Sequence, residues 1–554
     1  MSQTRLMSPA SSAYAYPLLI KSLLTSPLRR APEQEIVYRD QLRYSYRELN
    51  ARIGRLGNAL RALGVGPGDV VAVLDWDSHR YLEAFFAVPM LGAVLHTVNI
   101  RLSPEQILYT MQHAEDSVVL VHADFLALAA GICPQLPLVK SLILLQDTPD
   151  QAAEPDPALP LVGEYEALLA AQPSECEFPD FDENSLASTF YTTGTTGLPK
   201  AVAFSHRQLV LHTLGGCAAL GALDGPGRFR ADDVYMPITP MFHVHAWGLP
   251  FMATMLGVKQ VYPGRYEPEV LMKLLLQEKV TFSHCVPTIL HLLVSSPAAR
   301  QVDLSNWKVI IGGSALPRGL ALAALELGID VYVGYGMSET CPILSLARVT
   351  PEQLRLPLPE QVDARIRTGM PIPLVELRVL DADGKQVPAD GHSPGEIQVR
   401  TPWLTQGYLK DPESSEKLWE GGWLHTGDVA VLCPDGQLQI TDRIKDVIKS
   451  GGEWISSLEL ESLLSRHPAV SEAAVVGLPD AQWGERPHAL VVLKTDTSAT
   501  PEELCAHLRG FVEAGHIQGW AIPKDLRLVS AIPKTSVGKL DKKRIRAEWN
   551  ESKS

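Results

Sequence analysis

Short apolar runs alternate with amphipathic stretches along the first two thirds of the chain. From Thr25 to about Val349, each apolar run ends in Gly, Asp or another polar residue and is followed by a stretch with helical spacing. The runs that read as strands are 70–76, 117–123, 141–147, 259–264, 308–313 and 331–336. Strand–helix alternation of this kind predicts parallel sheets with helices on both faces. We therefore expect an α/β fold of doubly wound sheets, with ligands bound at the carboxyl ends of the strands.

The pattern changes twice in the last third of the chain. After Gly369 the apolar runs become short and turn-rich, which predicts a small antiparallel β subdomain over about residues 350–443. From Arg443 onward, helical and strand-like stretches mix as in an α+β unit. We therefore predict an N-terminal domain over residues 1–443 and a small C-terminal domain over residues 444–554, with a ligand crevice between them.

No apolar run reaches the roughly 18 to 20 residues needed to span a bilayer. The best candidate, Ala84–Leu95, is shorter and contains Pro89, so we interpret it as a core helix. The first 32 residues carry four basic and no acidic side chains. We interpret them as an arm that leads into the first helix, with an organelle-transit segment as the alternative.

Composition and charge narrow the classes of function. The 554 residues are 46% hydrophobic and 20% charged, as in a globular protein rather than a disordered or collagen-like one. A net charge of −14 argues against nucleic acid as a partner, although a local basic patch can still bind an anion. Seven scattered cysteines without a CxxC pair indicate reduced thiols rather than disulfides or a zinc site. We expect a cytoplasmic location, with the mitochondrial matrix as the alternative.

The run YTTGTTGLPKAV, residues 191–202, carries the clearest chemical signal. Its threonine hydroxyls, glycines and Lys200 suit a turn that surrounds phosphate oxygens with N–H groups and one positive charge. It does not match the GxxxxGK[ST] phosphate loop, because Leu198 and Pro199 separate Gly197 from Lys200. By composition alone, a flexible surface linker is an equal alternative.

Further polar residues follow predicted strands. Glu339, in GYGMSET, is a hard oxygen ligand suited to Mg²⁺ beside a phosphate. Asp428, in WLHTGDV, follows a glycine turn, where a carboxylate can accept both hydroxyl groups of a ribose. Arg443 and Lys445 follow in TDRIKD. Taken singly, each of these residues also suits a charged turn or a helix cap.

The order of the motifs indicates a family, which no single motif does. The chain contains, in sequence, YTTGTTGLPK, MFHVHAWG, GGSAL, GYGMSET, WLHTGD, DRIKD and PKTSVGKLDK. This series resembles the successive signatures of the adenylate-forming superfamily over about residues 25–550. The resemblance implies a ligase that uses ATP to convert an acid to acyl-AMP and then, with coenzyme A, to acyl-CoA. It also implies that the C-terminal domain is mobile about a hinge at Lys445.

The resemblance further implies roles for individual residues. The ATP and AMP site would comprise Thr192, Thr193, Gly194, Thr195, Thr196, Gly197, Lys200, Gly313, Ser314, Ala315, Gly334, Tyr335, Gly336, Met337, Ser338, Asp428 and Arg443. Thr196 and Glu339 would bind Mg²⁺, and the catalytic residues would be Lys539, His243 and Thr340. Coenzyme A would lie against Lys445, Gly451, Gly452, Glu453 and Trp454.

The acyl pocket implied by the resemblance points to an apolar acid. It would be formed by His243, Trp247, Gly312, Gly336 and Met337. Phe242-His243 stands where amino-acid-activating relatives carry Phe-Asp, which favours an acid without an α-amino group. FHVHAWG and GGSALPRGL are most similar to the medium-chain fatty acid–CoA ligase branch. A short acid of the methylthio-propionate type, transfer to a carrier protein, and a non-catalytic nucleotide or lipid sensor remain alternatives.

Three smaller expectations complete the prediction. His243 and His245 alternate as in a strand, so their spacing also allows a metal pair, although no third ligand accompanies them. Ala201 replaces the glycine usual at the end of the phosphate turn, which bears on loop mobility. Peripheral membrane contact and a homodimer are further expectations, beside fatty acid, ATP and coenzyme A as substrates.

Overall fold

The computed structural model describes residues 5–148, 157–192, 198–223, 227–451, 453–534 and 540–551, with the backbone alone for Glu453, Asn550 and Glu551. Two large sheets, one small sheet and a C-terminal sheet form the architecture. Within these ranges, no helix is both long enough and apolar enough to cross a membrane. All seven cysteines are free.

Sixteen strands build the two large sheets. In chain order they are β1 (Glu35–Tyr38), β2 (Leu42–Ser45), β3 (Val70–Leu74), β4 (Val94–Thr97), β5 (Asp116–His122), β6 (Ser141–Leu145), β7 (Leu161–Glu164), β8 (Leu186–Thr192), β9 (Lys200–Ser205), β10 (Val234–Pro237), β11 (Lys259–Tyr262), β12 (Phe282–Cys285), β13 (Lys308–Ile311), β14 (Asp330–Gly336), β15 (Ile343–Leu346) and β16 (Met370–Pro371). One sheet has the order β7-β6-β5-β3-β4-β8-β9 and the other the order β16-β15-β14-β13-β12-β10-β11-β1-β2. Pairing is parallel except where β2, β9, β15 and β16 add antiparallel edges.

Nine further strands follow in the last third of the chain. They are β17 (Glu376–Leu380), β18 (Pro394–Arg400), β19 (Leu424–Leu432), β20 (Leu438–Arg443), β21 (Ile448–Ser450), β22 (Glu453–Ile455), β23 (Val470–Asp480), β24 (Gly484–Leu493) and β25 (Asp525–Leu528). The first four form an antiparallel sheet, and the other five form the C-terminal sheet. The latter has its own apolar core, which contains Ile448, Leu464 and Val491. Separate cores are consistent with the predicted domains, whose exact limits stay a prediction.

Helices connect the parallel strands and cover the sheets. They are α1 (Thr25–Arg30), α2 (Tyr46–Ala62), α3 (His79–Met90), α4 (Pro104–Ala114), α5 (Leu126–Ile132), α6 (Tyr165–Ala170), α7 (His206–Gly221), α8 (Val244–Trp247), α9 (Leu249–Leu256), α10 (Pro268–Gln277), α11 (Pro287–Val294), α12 (Arg318–Glu326), α13 (Leu358–Arg365), α14 (Pro412–Leu418), α15 (Ser457–Ser465), α16 (Pro501–Glu513) and α17 (Lys542–Glu551). The α/β prediction is therefore confirmed, and each of the six predicted strands is observed within three residues at either end.

Helix α3 lies between the two large sheets. All of its residues are buried, and it contacts β3, β4 and β8 of one sheet and β1 of the other. Its second half, Ala84–Met90, is apolar on every side, and such a segment needs a fully enclosed position. The apolar run Ala84–Leu95, which we interpret as a core helix, therefore contributes its first part to α3. This helix ends one residue after Pro89.

Carboxyl ends of parallel strands bring the predicted site together. The turns after β8, β13 and β14 carry the predicted phosphate, adenine and Mg²⁺ residues, and the loop after β10 carries His243. Strands β10, β12, β13 and β14 are parallel neighbours, so their following loops lie at one edge of the sheet. This is the edge at which open α/β sheets bind ligands.

Candidate functional site

The predicted phosphate-binding turn connects β8 to β9. Thr193–Gly197 lie outside the described residues, and Thr192 and Lys200 flank them as cross-strand partners. The Lys200 ammonium group lies 2.6 Å from the Ser414 hydroxyl and 4.8 Å from the ring centre of Tyr408. Asp411 Oδ2 lies 3.8 Å from the same ammonium group, so this cation is held by Tyr408, by Asp411 and by Ser414 in the first turn of α14.

Tyr408 connects Lys200 with the predicted Mg²⁺ ligand. Its hydroxyl donates to Glu339 Oε1 at 2.7 Å, and Glu339 is buried. Burial, together with this carboxylate, raises the pKa of Tyr408, so the hydroxyl remains a proton donor. A buried carboxylate beside the predicted phosphate-binding lysine fits a magnesium ion carried on nucleotide phosphates. The second predicted ligand, Thr196, lies outside the described residues.

Thr340 stabilises the turn after β14. Its hydroxyl accepts from the Met337 N–H at 3.0 Å and donates to the Pro342 carbonyl. A Cβ on Gly336 would lie 1.7 Å from the same carbonyl, so this turn requires glycine. Thr340 is fully buried, and its hydroxyl fixes the turn that carries the predicted adenine and Mg²⁺ residues.

Asp428 and Arg443 are partners across strands β19 and β20. Arg443 Nε lies 3.0 Å from Asp428 Oδ1, and the Tyr335 hydroxyl donates to Asp428 Oδ2 at 2.8 Å. Asp428 is buried, and its charge raises the pKa of Arg443. Because Tyr335 belongs to the predicted adenine turn, this contact places the predicted ribose-binding carboxylate at the edge of that turn.

The backbone around the two histidines corrects the expected strand. Residues Val244–Gly248, which include α8, all have positive φ, between 48° and 74°. His245 is buried among aromatic rings, and burial lowers its pKa to about 3. No group of three or more potential metal-binding side chains occurs in the described part of the chain. The alternation therefore reflects a left-handed turn with a neutral, buried histidine, and the structure gives no support to a metal pair.

Two distant side chains anchor the entry to this left-handed turn. Asp77 accepts from the Met241 N–H at 2.8 Å, and the Thr97 hydroxyl donates to the Phe242 carbonyl at 3.0 Å. The Tyr266 hydroxyl also donates to Asp77, and burial raises the pKa of Asp77 to about 7. L-residues adopt this conformation at a cost of about 1 to 2 kcal/mol each, so tertiary contacts must hold it.

A small cavity of about 60 Å³ lies beside the left-handed turn. His243, Trp247 and Gly313 line it together with the apolar side chains of Val286 and Ile289. The cavity therefore brings two predicted acyl-binding residues next to a predicted adenine-binding residue. Gly313, Ser314 and Ala315 are exposed at the end of β13, which leaves their surface accessible to a ligand.

Not all predicted acyl residues border this cavity. Gly312 lies behind it, where a Cβ would be 2.9 Å from Trp247 Cη2 and 2.9 Å from the Gly334 carbonyl oxygen. Met337 packs against the core of the small antiparallel sheet, and neither Met337 nor Gly336 is among the described residues that line the cavity. Gly312 thus defines where the indole of Trp247 can lie.

Replacing Gly312 with alanine is expected to shorten the cavity. The new methyl group would push Trp247 inward, so kcat/KM for octanoate should fall about 5- to 150-fold, as expected for overpacking by about 1 to 3 kcal/mol. Butyrate should be affected less. Gly319→Ala is the matched control, because a Cβ there meets no atom within 4 Å. An equal loss for both acids would contradict the role of Trp247 as the cavity wall.

The described residues among those predicted for coenzyme A lie on or beside the hairpin of β21 and β22. Gly451 has a φ of 62°, and its N–H donates to the Trp483 carbonyl at 2.8 Å. Trp454, on the following strand β22, is exposed. Burial lowers the pKa of Lys445. Gly452, the side chain of Glu453 and Lys539 lie outside the described residues.

Several residues at the site were not among the sequence predictions. Arg101 and Tyr266 line the cavity, Asp77 anchors the left-handed turn, and Tyr408 contacts Lys200 and Glu339. Arg101 and Asp77 follow β4 and β3 closely, so a polar residue after a strand end could have indicated them. Tyr408 follows no large-sheet strand and gives no such signal.

Comparison with known sequences identifies the family. The AMP-binding enzyme family matches residues 24–409, and the AMP-binding enzyme C-terminal domain matches residues 459–539. The chain belongs to the AMP-binding enzyme family. The resemblance to adenylate-forming enzymes that its motifs indicate is thereby confirmed, and two matched regions in this order are consistent with an N-terminal and a C-terminal domain.

Similar AMP-binding enzymes carry names of CoA ligases. A long-chain-fatty-acid–CoA ligase of Thermus thermophilus is 43% identical, over 92% of this chain and 90% of the relative. A 3-methylmercaptopropionyl-CoA ligase of Ruegeria lacuscaerulensis is 39% identical, over 97% and 98%. A medium-chain-fatty-acid–CoA ligase of Ectopseudomonas oleovorans is 35% identical, over 96% of each chain.

A solved structure supports the fold of this AMP-binding enzyme. The anthranilate CoA ligase AuaEII in complex with anthranoyl-AMP superimposes with a TM-score of 0.83 at 25% identity. The match covers 96% of this chain and 97% of AuaEII. The shared architecture therefore extends through both matched regions.

Proposed function

We propose that this chain is an ATP-dependent ligase that joins a fatty acid of medium length to coenzyme A through an acyl-AMP intermediate. The observation that carries the proposal is the position of Gly313. This residue stands in the predicted adenine turn and lines the same cavity as His243 and Trp247. An acid in the cavity would therefore have its carboxylate close to the α-phosphate of a nucleotide held by the turns after β13 and β14.

The first step joins two anions, so the protein must offset the repulsion between their negative charges. A carboxylate oxygen attacks the α-phosphorus of ATP, the new acyl–phosphate bond forms, and pyrophosphate leaves with the electrons of the broken P–O bond. Lys200 and the turn before it would neutralise the β- and γ-phosphates, and Asp428 with Arg443 would hold the ribose. Fixed charges of this kind stabilise developing charge without reorganisation.

Magnesium would be held by Glu339 and Thr196 next to the phosphates. When bound, the ion supplies positive charge to the phosphate oxygens. The chain's own part is to fix the Glu339 carboxylate, which Tyr408 does through its hydroxyl. Lys539 would add a mobile cation near the acid and the α-phosphate during this step.

The second step transfers the acyl group to a thiol. The sulfur attacks the acyl carbon, the C–S bond of the thioester forms, AMP leaves with the electrons of the broken anhydride bond, and the thiol proton passes to solvent. Rotation about Lys445 would withdraw Lys539 and bring the hairpin of Gly451, Gly452, Glu453 and Trp454 to the site. The glycines leave room for a narrow chain such as pantetheine, and His243 would lie beside the entering thiol.

The chain length of the acid is the finer part of the proposal. A cavity of about 60 Å³ suits a short acid or requires Trp247 to move for a longer one. Short methylthio-propionate acids are the alternative, favoured by the 39% identical relative. Each buried methylene group contributes about 0.8 kcal/mol, or roughly fourfold in affinity. Specificity should therefore rise steeply with length up to the depth of the pocket.

A substrate panel tests this function. Pyrophosphate release and thioester formation are measured with straight acids from acetate to palmitate and with 3-(methylthio)propionate, each with ATP and coenzyme A. We expect kcat/KM to be highest near octanoate. A phosphopantetheinyl carrier protein, offered in parallel, separates carrier loading from thioester formation with coenzyme A. Nucleotide binding without pyrophosphate release for any acid would contradict catalysis and favour a sensor.

We also propose a cytoplasmic enzyme that forms a homodimer. Seven free thiols favour a reducing compartment. Subunit number is measured by sedimentation equilibrium of the purified full chain, and a monomer at micromolar concentration would contradict the dimer.

A further inference from the structure

Tyr408 is held rigidly beside the phosphate-binding turn. Its N–H donates to the Ser415 hydroxyl at 2.9 Å, and its backbone forms a bridge with Val202 of β9. The next residue, Leu409, donates its N–H to the Ala201 carbonyl at 3.0 Å. The segment of Tyr408 therefore extends the sheet next to the end of the turn, and these contacts fix the backbone from which its ring projects.

The side chain of Tyr408 contacts two groups of opposite charge. The ring centre lies 4.8 Å from the Lys200 ammonium group, a distance typical of a cation–π contact. The hydroxyl, at the far end of the ring, donates to Glu339 Oε1 at 2.7 Å. One side chain thus contacts both the proposed phosphate cation and the proposed Mg²⁺ carboxylate.

Opposite charges in a half-buried site attract each other strongly, because the local dielectric constant is low. A direct ion pair between Lys200 and Glu339 would neutralise both groups before the nucleotide arrives. Lys200 already forms a half-exposed ion pair with Asp411 at 3.8 Å. The aromatic ring adds a contact that brings no second carboxylate, and the hydroxyl donates to one oxygen of Glu339. Neither contact of Tyr408 neutralises the charge of its partner.

We propose that Tyr408 is a positioning residue that orients Glu339 for magnesium and keeps Lys200 from pairing with it. This inference rests on the proposed function, since it assigns Lys200 and Glu339 to the metal–nucleotide complex. Hydrogen bonds to metal-binding carboxylates typically change metal affinity or activity about 10- to 100-fold when they are removed.

Equilibrium binding without an acid tests the inference. ATP affinity is measured by calorimetry at increasing Mg²⁺ concentration with the full chain and two variants. Tyr408→Phe keeps the ring, so ATP affinity without metal should be unchanged, while the Mg²⁺ concentration for half-maximal enhancement should rise about 10- to 100-fold. Tyr408→Leu removes the ring as well, and ATP affinity without metal should also fall.

A double variant separates charge pairing from a general loss of structure. Adding Glu339→Gln to Tyr408→Leu leaves Asp411 as the carboxylate paired with Lys200, as in the unchanged protein, so metal-free ATP affinity should recover. Tyr191→Phe is the matched control, because its hydroxyl contacts His113 at 2.8 Å beside the same turn. Its Mg²⁺ dependence should equal that of the unchanged protein. Circular dichroism and unfolding midpoints check that all variants are folded.

Two results would overturn the inference. One is a Tyr408→Phe variant whose Mg²⁺ dependence equals that of Tyr191→Phe. The other is a double variant that binds metal-free ATP no better than Tyr408→Leu. If the unchanged protein did not bind ATP at all, the proposed function would fail and this inference with it, whereas normal ATP binding with unaffected variants would contradict the role of Tyr408 alone.

Discussion

Replacing Lys539 with alanine is expected to slow acyl-AMP formation by about 10²-fold or more, the scale of losing one donor to a charge that develops in the transition state. A lysine suits this role because it is a compact point charge on a long, flexible stem. Pyrophosphate release with octanoate and ATP measures the first step. Thioester formation from supplied octanoyl-AMP and coenzyme A measures the second step, which should be retained.

The matched control for this variant is Lys534→Ala. Lys534 lies at the base of the same segment, where it forms a bridge with Leu540 and an ion pair of 3.0 Å with Glu472. Its ammonium group pairs with a carboxylate of the same domain, so its loss should leave both half-reactions nearly unchanged. Equal slowing of both half-reactions by Lys539→Ala would show that the assigned role is wrong.

Replacing Arg52 with alanine is expected to lower the free energy of unfolding by about 3 to 5 kcal/mol, as for other broken buried ion pairs. Arg52 Nε lies 2.7 Å from Glu83 Oε1, and the side chain of Glu83 is fully buried. The hydroxyls of Tyr44 and Tyr165 also donate to Glu83. Without the guanidinium group, the charge of Glu83 would remain buried next to neutral donors alone.

An exposed pair provides the comparison for this stability prediction. Arg47 and Glu33 form an ion pair of 2.6 Å in which both side chains are about 70% exposed, and its loss should cost no more than about 1 kcal/mol. Urea unfolding of both alanine variants, followed by tryptophan fluorescence, measures the difference. Equal midpoints for Arg47→Ala and Arg52→Ala would contradict the role assigned to the buried network.

The large sheets could be predicted from the sequence because their strands are buried on both faces. In the run 308–313, Val309–Ile311 are apolar and fully buried, as expected for a parallel sheet that helices cover on both faces. The polar residues that follow these runs could be predicted as site residues, because the carboxyl ends of parallel strands meet at one edge of a sheet.

The left-handed turn could not be predicted from local pattern. FHVHAW alternates as a strand does, and a β-branched residue such as Val244 disfavours positive φ. The conformation depends on Asp77 and Thr97, which lie more than 140 residues earlier in the chain. Tyr408 was missed for a related reason, because its partners Glu339 and Lys200 are distant in sequence and nothing in QGYLKD indicates them.

The contacts of Arg443 and Tyr335 with Asp428 have a consequence for how the two half-reactions follow each other. Asp428, Tyr335 and Arg443 all precede Lys445 in the chain, and they belong to the part that would stay still when the small domain turns. A nucleotide whose ribose is bound by Asp428 and Arg443 would stay bound at the same position through both half-reactions. The reactive mixed anhydride would then be passed between two chemical environments without entering bulk water, where hydrolysis would waste it.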